Sequence, residues 1–320
     1  MSMKISLITP AGKLSKNGNR TSAVRWAGFL RAQGHRVRIS VDYHNEPADL
    51  MIALHAWRSA GAVQQFCTLY PGRPLVVALG GTDVNSFLKT DPEPTLASMK
   101  AADALVCLHD LIGRALPAPL RKKLHVIKQS AQPLTTPRRP SQRHFDICVI
   151  GHLRTEKDPF RTALAARQLP DTSRLRVIHL GRAHEKIWAD QARAEMAHNP
   201  RYHWRGEVSG WRVRREFAKT RLMVISSIQE GGANVVSEAL AAKVPVIASN
   251  IDGNVGLLGR GYLGYYPVGD EAALAKLLIR AETDPRFLKS LEAACRKLAP
   301  QFTPKREAAG WKAVIDQITS

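Results

Sequence analysis

Cysteine is scarce. The 320 residues hold four, Cys67, Cys107, Cys148 and Cys295, scattered with no paired spacing. This argues against a disulfide-built secreted scaffold and against a cysteine-ligated metal site. Cys107 and Cys148 sit inside apolar runs, so reduced, mostly buried thiols in a cytoplasmic protein are expected. No run of eighteen apolar residues occurs, which argues against a membrane-spanning helix. The opening "MSMKISLITPAGKLS" lacks the long apolar core of a secretory signal and reads as a first β-strand. Acidic residues are also few: 27 Asp and Glu stand against 47 Lys and Arg, a net charge of +20.

A field of that sign draws in anions such as nucleotides, phosphates, acidic lipid headgroups or nucleic acid. The basic residues are spread through "RAQGHRVR", "LRKK", "PRRP" and "WRVRRE", with no single basic helix or tail. With no base-stacking motif either, no nucleic-acid partner is expected. The alternative reading of the charge is a well-solvated surface.

What the chain has in abundance is alternation. Short apolar runs ("KISLIT", "RVRISV", "LMIAL", "PLVVAL", "ALVCL", "LHVI") are separated by helical patterns, among them 21–33 and 58–69. Strands spaced by helices imply parallel βαβ units. A polar stretch with three prolines, "SAQPLTTPRRPSQRHF", reads as a linker. The alternation then restarts with "DICVIG", "LRVIHLG", "YHWRGE", "LMVISS", "PVIAS" and "GYYPV". Helices are expected over 158–168, 187–198, 212–219, 235–242, 271–281 and 285–298, and a last amphipathic segment, "TPKREAAGWKAVIDQITS", follows. The expected class is α/β: two doubly wound Rossmann-like domains in tandem, 1–135 and 136–302, facing across a cleft, and a terminal helix over 303–320. Ligands of such sheets bind beyond the carboxyl ends of the strands.

Three strand ends carry unusual polar residues. In "SSIQEGGANVVSEALAA", Glu230 and Glu238 lie eight positions apart around Gly231 and Gly232. The glycines permit close backbone approach to a ligand. Asn234 reads as the N-cap of a helix whose first turn offers unpaired N–H groups to an anion. Ionised carboxylates can each hold neighbouring hydroxyls. A diphosphate flanked by polyols is the outline of a nucleotide sugar; the plain alternative is a capped turn with two solvated glutamates. In "VIGHLRTEKDP", Arg154 and Lys157 are cations at a helix start, the unfavourable sign there unless an anion is bound. In "GKLSKNGNRTSAVRWA", Gly18, Asn19, Arg20 and Thr21 form a second phosphate-friendly loop. No carboxylate cluster suggests a metal, so metal-independent chemistry is expected, with no cofactor.

These motifs resemble the GT-B glycosyltransferases of family 4. E-x7-E is matched by Glu230 and Glu238, a G-R-L-x-x-E-K-G loop in part by "GHLRTEKD", the glycine-bearing first loop by "NGNRT", and "H-G-T-D" in part by "GGTD", residues 80–83. The resemblance spans nearly the whole chain, including the final helix that crosses back to the first domain. It implies that Glu238 holds ribose hydroxyls. It also implies that Glu230 and the backbone of Gly231, Gly232, Ala233, Asn234 and Val235 meet the sugar and β-phosphate, and that Lys157 pairs with the diphosphate. Two positions depart from the family. His152 stands where it has an arginine, so Arg154 would supply the charge, and Gly80 stands where it often has a histidine.

Together "GNRTSAVRWA", "ALHAWRSA", "GGTDV", "GHLRTEKDP", "EGGANVVSEA" and "DGNVGLLG" are most similar to the selenosugar synthases of selenoneine biosynthesis. That subgroup implies a UDP-sugar, UDP-N-acetylglucosamine, and selenophosphate as substrates, with UDP and phosphate released. An anionic selenium nucleophile needs little base help but does need cations. Asn19, Arg20, Thr21, Arg58, Thr82, Asp83 and Lys128 are the expected acceptor-phosphate group, and His55 would donate a hydrogen bond to that phosphate. For His55 the alternative is a strand-end histidine satisfied by its neighbours, and for Arg58 and Lys128 a solvated surface role. The competing functions are an ordinary family-4 hexosyltransferase acting on a lipid or polysaccharide, a sugar-nucleotide epimerase and a basic nucleic-acid-binding protein.

Overall fold

The computed structural model describes residues 2–15 and 18–320; Asn17, which opens the "NGNRT" motif, lies outside the described residues. The chain divides into two compact units. Unit 1 is Met1–Gln129 with Pro304–Ser320, and unit 2 is Ser130–Thr303. The polar stretch after Ser130 is fastened to unit 2, where the Arg138 guanidinium donates to the carbonyls of Lys243, Thr220 and Arg221.

Unit 1 holds β1 (Lys4–Ile8), β2 (Arg36–Ser40), β3 (Leu50–Leu54), β4 (Leu75–Ala78), β5 (Ala104–Cys107) and β6 (Leu124–Val126). Their order is β2-β1-β3-β4-β5-β6, every pair parallel. Central strands covered by helices on both faces must be apolar throughout, which is why "LMIAL", "LVVA" and "ALVC" are buried at every position. Alternate residues feed opposite cores. Met51 and Ala53 pack with Phe66 and Leu105, while Leu50 and Ile52 pack with Trp26 and Leu30. The terminal helix, Pro304–Thr319, returns to this second core with Trp311, Val314 and Ile315. Its Glu307 is 1% exposed and accepts from Arg25 Nε at 2.9 Å and Trp26 Nε1 at 2.8 Å.

Unit 2 holds β7 (Phe145–Ile150), β8 (Leu175–Leu180), β9 (Tyr202–Trp204), β10 (Leu222–Ile225), β11 (Val246–Ser249) and β12 (Tyr265–Tyr266), again all parallel. Their order is β12-β11-β10-β7-β8-β9. Chain direction across a sheet reverses between β1 and β3 in unit 1 and between β7 and β10 in unit 2. At such a reversal the two connecting loops part and leave a crevice, the usual ligand position in open α/β sheets. Each unit thus has one topological site, set by strand order alone. No described helix is long and apolar enough to cross a membrane, and the four cysteines are free thiols.

Two helix starts differ from the sequence expectation. The first helix is Gly18–Ala32, so Gly18, Asn19, Arg20 and Thr21 are its opening turn rather than a loop before it. The helix after the Gly231–Gly232 pair is Asn234–Ala241; Ala233 is the extended residue at the cap position and Asn234 already has helical geometry. Asparagine competes for caps through its side chain, but no side-chain cap bond forms here. The aspartate caps do form: Asp270 accepts from Ala273 N, and Asp284 from Arg286 N and Phe287 N.

Candidate functional site

In unit 2 the crevice between β7 and β10 gathers residues from three segments. Gly151 and His152 follow β7, Lys157 ends a short turn of 3-10 helix over Thr155–Lys157, and Ser226 to Glu230 follow β10. These loops are tied together. Ser226 Oγ donates to the carbonyls of Lys157 at 3.0 Å and Asp158 at 2.9 Å, and Ile228 N donates to Glu156 O at 3.0 Å. Asp158 has a left-handed backbone, φ 42°, which turns the chain sharply after Lys157.

The Lys157 ammonium pairs directly with Glu230 Oε1, which also accepts from Ser227 Oγ at 2.6 Å. Both side chains are mostly buried, so the pair is shielded from solvent screening. Glu230 is held from beneath by the Asp252–Leu258 helix: a β-carbon on Gly253 would fall 2.4 Å from Glu230 O. Ser249 Oγ donates to Ser227 O at 2.6 Å, and Asn254 Nδ2 donates to Ser249 O. Gly232, φ 115°, then uses backbone that only glycine adopts without strain and brings the chain to Ala233, Asn234 and Val235. Glu238 is the fifth residue of the helix that follows and is half-buried.

Beside this group lies a cationic edge. Arg154 is partly exposed and pairs with Glu156 at 3.6 Å. His152 Nδ1 accepts from Arg182 N at 3.1 Å, and its ring centroid lies 5.3 Å from that of His184. Burial, then His184, Arg154 and Arg182, lower the His152 pKa from its ordinary value, so the imidazole is neutral near pH 7. The sequence reading did not include Ser226, Ser227, Gly253, Arg182 or His184. Signals existed for three of them: a serine pair closing an apolar strand, and a glycine four residues after a strand end.

In unit 1 the opening turn of Gly18–Ala32 follows β1 and the His55–Arg58 segment follows β3, so both flank the other crevice. Gln129 Nε2 donates to Ser22 Oγ at 3.0 Å, which carries neighbouring Lys128 back toward that first helix. Burial lowers the Lys128 pKa and Asp110 opposes the shift. Arg58 is exposed, and its guanidinium sits 5.9 Å from the centroids of Trp57 and Phe87, themselves stacked at 4.1 Å.

Two expectations are corrected here. Asp83 is fully buried, and its carboxylate accepts from Ala56 N, Trp57 N and Gly80 N at 2.7–3.0 Å. An inward carboxylate committed to the loop backbone is not a phosphate ligand. His55 is 2% exposed, with Nδ1 2.5 Å from Asp83 Oδ1 and Nε2 2.7 Å from Thr82 Oγ1. Both ring nitrogens are engaged, so His55 does not itself present a donor to an acceptor phosphate. Thr82, half-buried, is the member of this group nearer solvent.

A family model described as Glycosyl transferases group 1 matches residues 137–300, half of the chain and nearly all of unit 2. No curated protein sequence matches significantly. Among solved structures, HepE of Anabaena in complex with UDP and glucose aligns at TM-score 0.78 with 15% identity, over 98% of this chain and all of HepE. Sucrose-phosphate synthase of Thermosynechococcus elongatus aligns at 0.78 and 16% identity over 99% of both chains. A glycosyltransferase of Rickettsia africae aligns at 0.76 and 16% identity, over all of this chain and 99% of its own. These likenesses establish the two-unit GT-B fold. The extent of the family match establishes the rest: this chain belongs to the group 1 glycosyl transferases.

Proposed function

We propose that this chain transfers a sugar from a UDP-sugar, UDP-N-acetylglucosamine, to selenophosphate and releases UDP and phosphate. Unit 2 is the donor half. The observation that carries the reading is the Lys157–Glu230–Ser227 group at the β7/β10 crevice, beside the opening turn of the Asn234–Ala241 helix. A donor diphosphate would take the Lys157 ammonium, with Arg154 alongside, and the N–H groups of that opening turn. Glu230, released from the lysine, would accept from sugar hydroxyls, and Glu238 from the ribose. His152 would lie beside the diphosphate as a neutral ring. HepE has been crystallised with UDP and with UDP-glucose, which supports UDP as the carrier. The leaving group gains charge where cation and dipoles already point, which is electrostatic catalysis without a metal or cofactor.

Unit 1 is the acceptor half. Asn19, Arg20 and Thr21, at the opening turn of the Gly18–Ala32 helix, with Arg58 and Lys128, would hold the phosphate of selenophosphate. The motif likeness to selenosugar synthases supports that acceptor, and the cations suit a polyanionic nucleophile. Mass spectrometry of products from UDP-N-acetylglucosamine with and without selenophosphate tests it. UDP and a seleno sugar are expected only when both substrates are present. UDP release that ignores selenophosphate removes this acceptor.

A further inference from the structure

The buried chain Asp83–His55–Thr82 joins the ends of two adjacent strands in unit 1, β3 and β4. Its protons can be assigned. Asp83 faces four donors: three backbone N–H groups and His55 Nδ1. Arg58 N also approaches Nδ1, at 3.4 Å, but the 2.5 Å contact needs a proton between the two atoms, and a carboxylate already accepting three backbone N–H groups leaves it on Nδ1. In the neutral ring Nε2 carries the lone pair, and Thr82 Oγ–H donates to it at 2.7 Å. Carboxylate, imidazole and hydroxyl in this order prepare the hydroxyl oxygen to take a proton as it gives up its own.

The arrangement is costly to maintain. His55 has φ 82°, a left-handed backbone that a histidine adopts at a cost of about 1–3 kcal/mol. A β-carbon on Gly80 would lie 2.7 Å from His55 Cδ2, so this ring position also requires glycine there. A buried histidine needed only for packing would not call for both concessions.

We propose that Thr82 Oγ takes a proton from the water that cleaves the P–Se bond after sugar transfer, which rests on the selenophosphate reading above. Water oxygen bonds to phosphorus. Its proton passes to Thr82 Oγ while the threonine proton passes to His55 Nε2. The P–Se bond breaks with its electron pair on selenium, inorganic phosphate departs, and the imidazolium proton returns to the selenolate. The balance is Se-glycosyl phosphate plus water to selenol sugar plus phosphate. Thr82 is catalytic; His55 and Asp83 act through it as positioning residues.

The test incubates wild type, Thr82→Val, Thr82→Ser and His55→Asn with UDP-N-acetylglucosamine and selenophosphate. UDP, the Se-phosphorylated sugar and phosphate, corrected for selenophosphate breakdown alone, are quantified by mass spectrometry. Thr82→Val is expected to lower phosphate released per UDP by at least ~10-fold, modest against the roughly 100-fold or more of a positioned base, with the Se-phosphorylated sugar accumulating. Thr82→Ser restores the wild-type ratio. His55→Asn behaves as Thr82→Val, asparagine being tolerant of the left-handed backbone. The ratio is taken per UDP, so a partly folded preparation does not alter it. Equal release of phosphate and UDP by Thr82→Val overturns the proposal, as does a Thr82→Val enzyme that releases no UDP at all. A wild type that releases no UDP in response to selenophosphate removes the acceptor reading itself, and the proposal falls with it.

Discussion

Gly253 lies directly against the backbone of Glu230: a methyl group at position 253 would sit 2.4 Å from the Glu230 carbonyl oxygen and 2.7 Å from its Cβ. The glycine is the second residue of the Asp252–Leu258 helix, and the carboxylate it supports is the partner of Lys157. Backbone cannot yield as a flexible side chain does. A Gly253→Ala change must therefore move Glu230. Displacing a site group by about 1 Å costs roughly 100-fold in turnover. We expect kcat/KM to fall by that order while the far-ultraviolet circular dichroism spectrum stays that of wild type. Full activity in Gly253→Ala would show that Glu230 need not stand where it does.

The Lys157 ammonium is the cation closest to Glu230, and removing it tests the donor site. Charge-assisted hydrogen bonds contribute about 1.5–3 kcal/mol, or roughly 10- to 100-fold in affinity. We expect Lys157→Met to weaken UDP binding within that range by calorimetry. Glu238→Ala should weaken UDP but leave binding of the free sugar unchanged, if that carboxylate holds the ribose. Unaltered UDP affinity in both variants would place the nucleotide elsewhere.

The sequence made the strands legible because parallel strands buried on both faces leave no polar alternation to misread; "LMIAL" and "LMVI" admit little else. Helix starts were less legible. Gly18 and Asn234 are residues that normally precede or end helices, yet both carry helical backbone here. Local preference was overruled by where each strand delivers the chain. The direction of polar side chains at strand ends was not legible at all. His55 and Asp83 read as outward ligands, yet both turn inward because three backbone N–H groups of the adjoining loops need an acceptor. Gly80, noted as a departure from the family pattern, was the one clue, since it clears the space the imidazole occupies.

Glu307 is a buried carboxylate on the terminal helix, held by Arg25 and Trp26 of the first helix. Losing it leaves Trp26 Nε1 without this partner and a largely buried guanidinium without its counter-charge. Breaking such a pair costs about 3–5 kcal/mol. We expect Glu307→Ala to lower the stability of unit 1 by that order in urea unfolding. Glu307→Gln, which keeps a hydrogen-bond acceptor, should lose less. A change below about 1 kcal/mol, the scale of an exposed pair, would mean that the terminal helix is held by its apolar face alone.

His179 makes unit 2 sensitive to acid. It is buried, with Nδ1 2.8 Å from Tyr202 Oη and Nε2 3.1 Å from Gly151 O. Burial lowers its pKa from 6.5 to about 4, partly opposed by the Gly151 carbonyl. Above pH 6.5 the imidazole is neutral in folded and unfolded chains and adds no pH dependence. Below 6.5 the unfolded chain takes up a proton that the folded chain refuses, so stability falls as the pH drops, until the folded form also protonates near pH 4. The full penalty is on the order of 3 kcal/mol by linkage. We expect the unfolding free energy of unit 2 to decline between pH 6.5 and 4, and His179→Gln to remove most of that slope. The difference between the two proteins isolates this residue from His152, His184 and His203, whose pKa values are also lowered by burial. Parallel pH profiles would show that His179 titrates normally and that the β7–β8–β9 contact it makes is open to water.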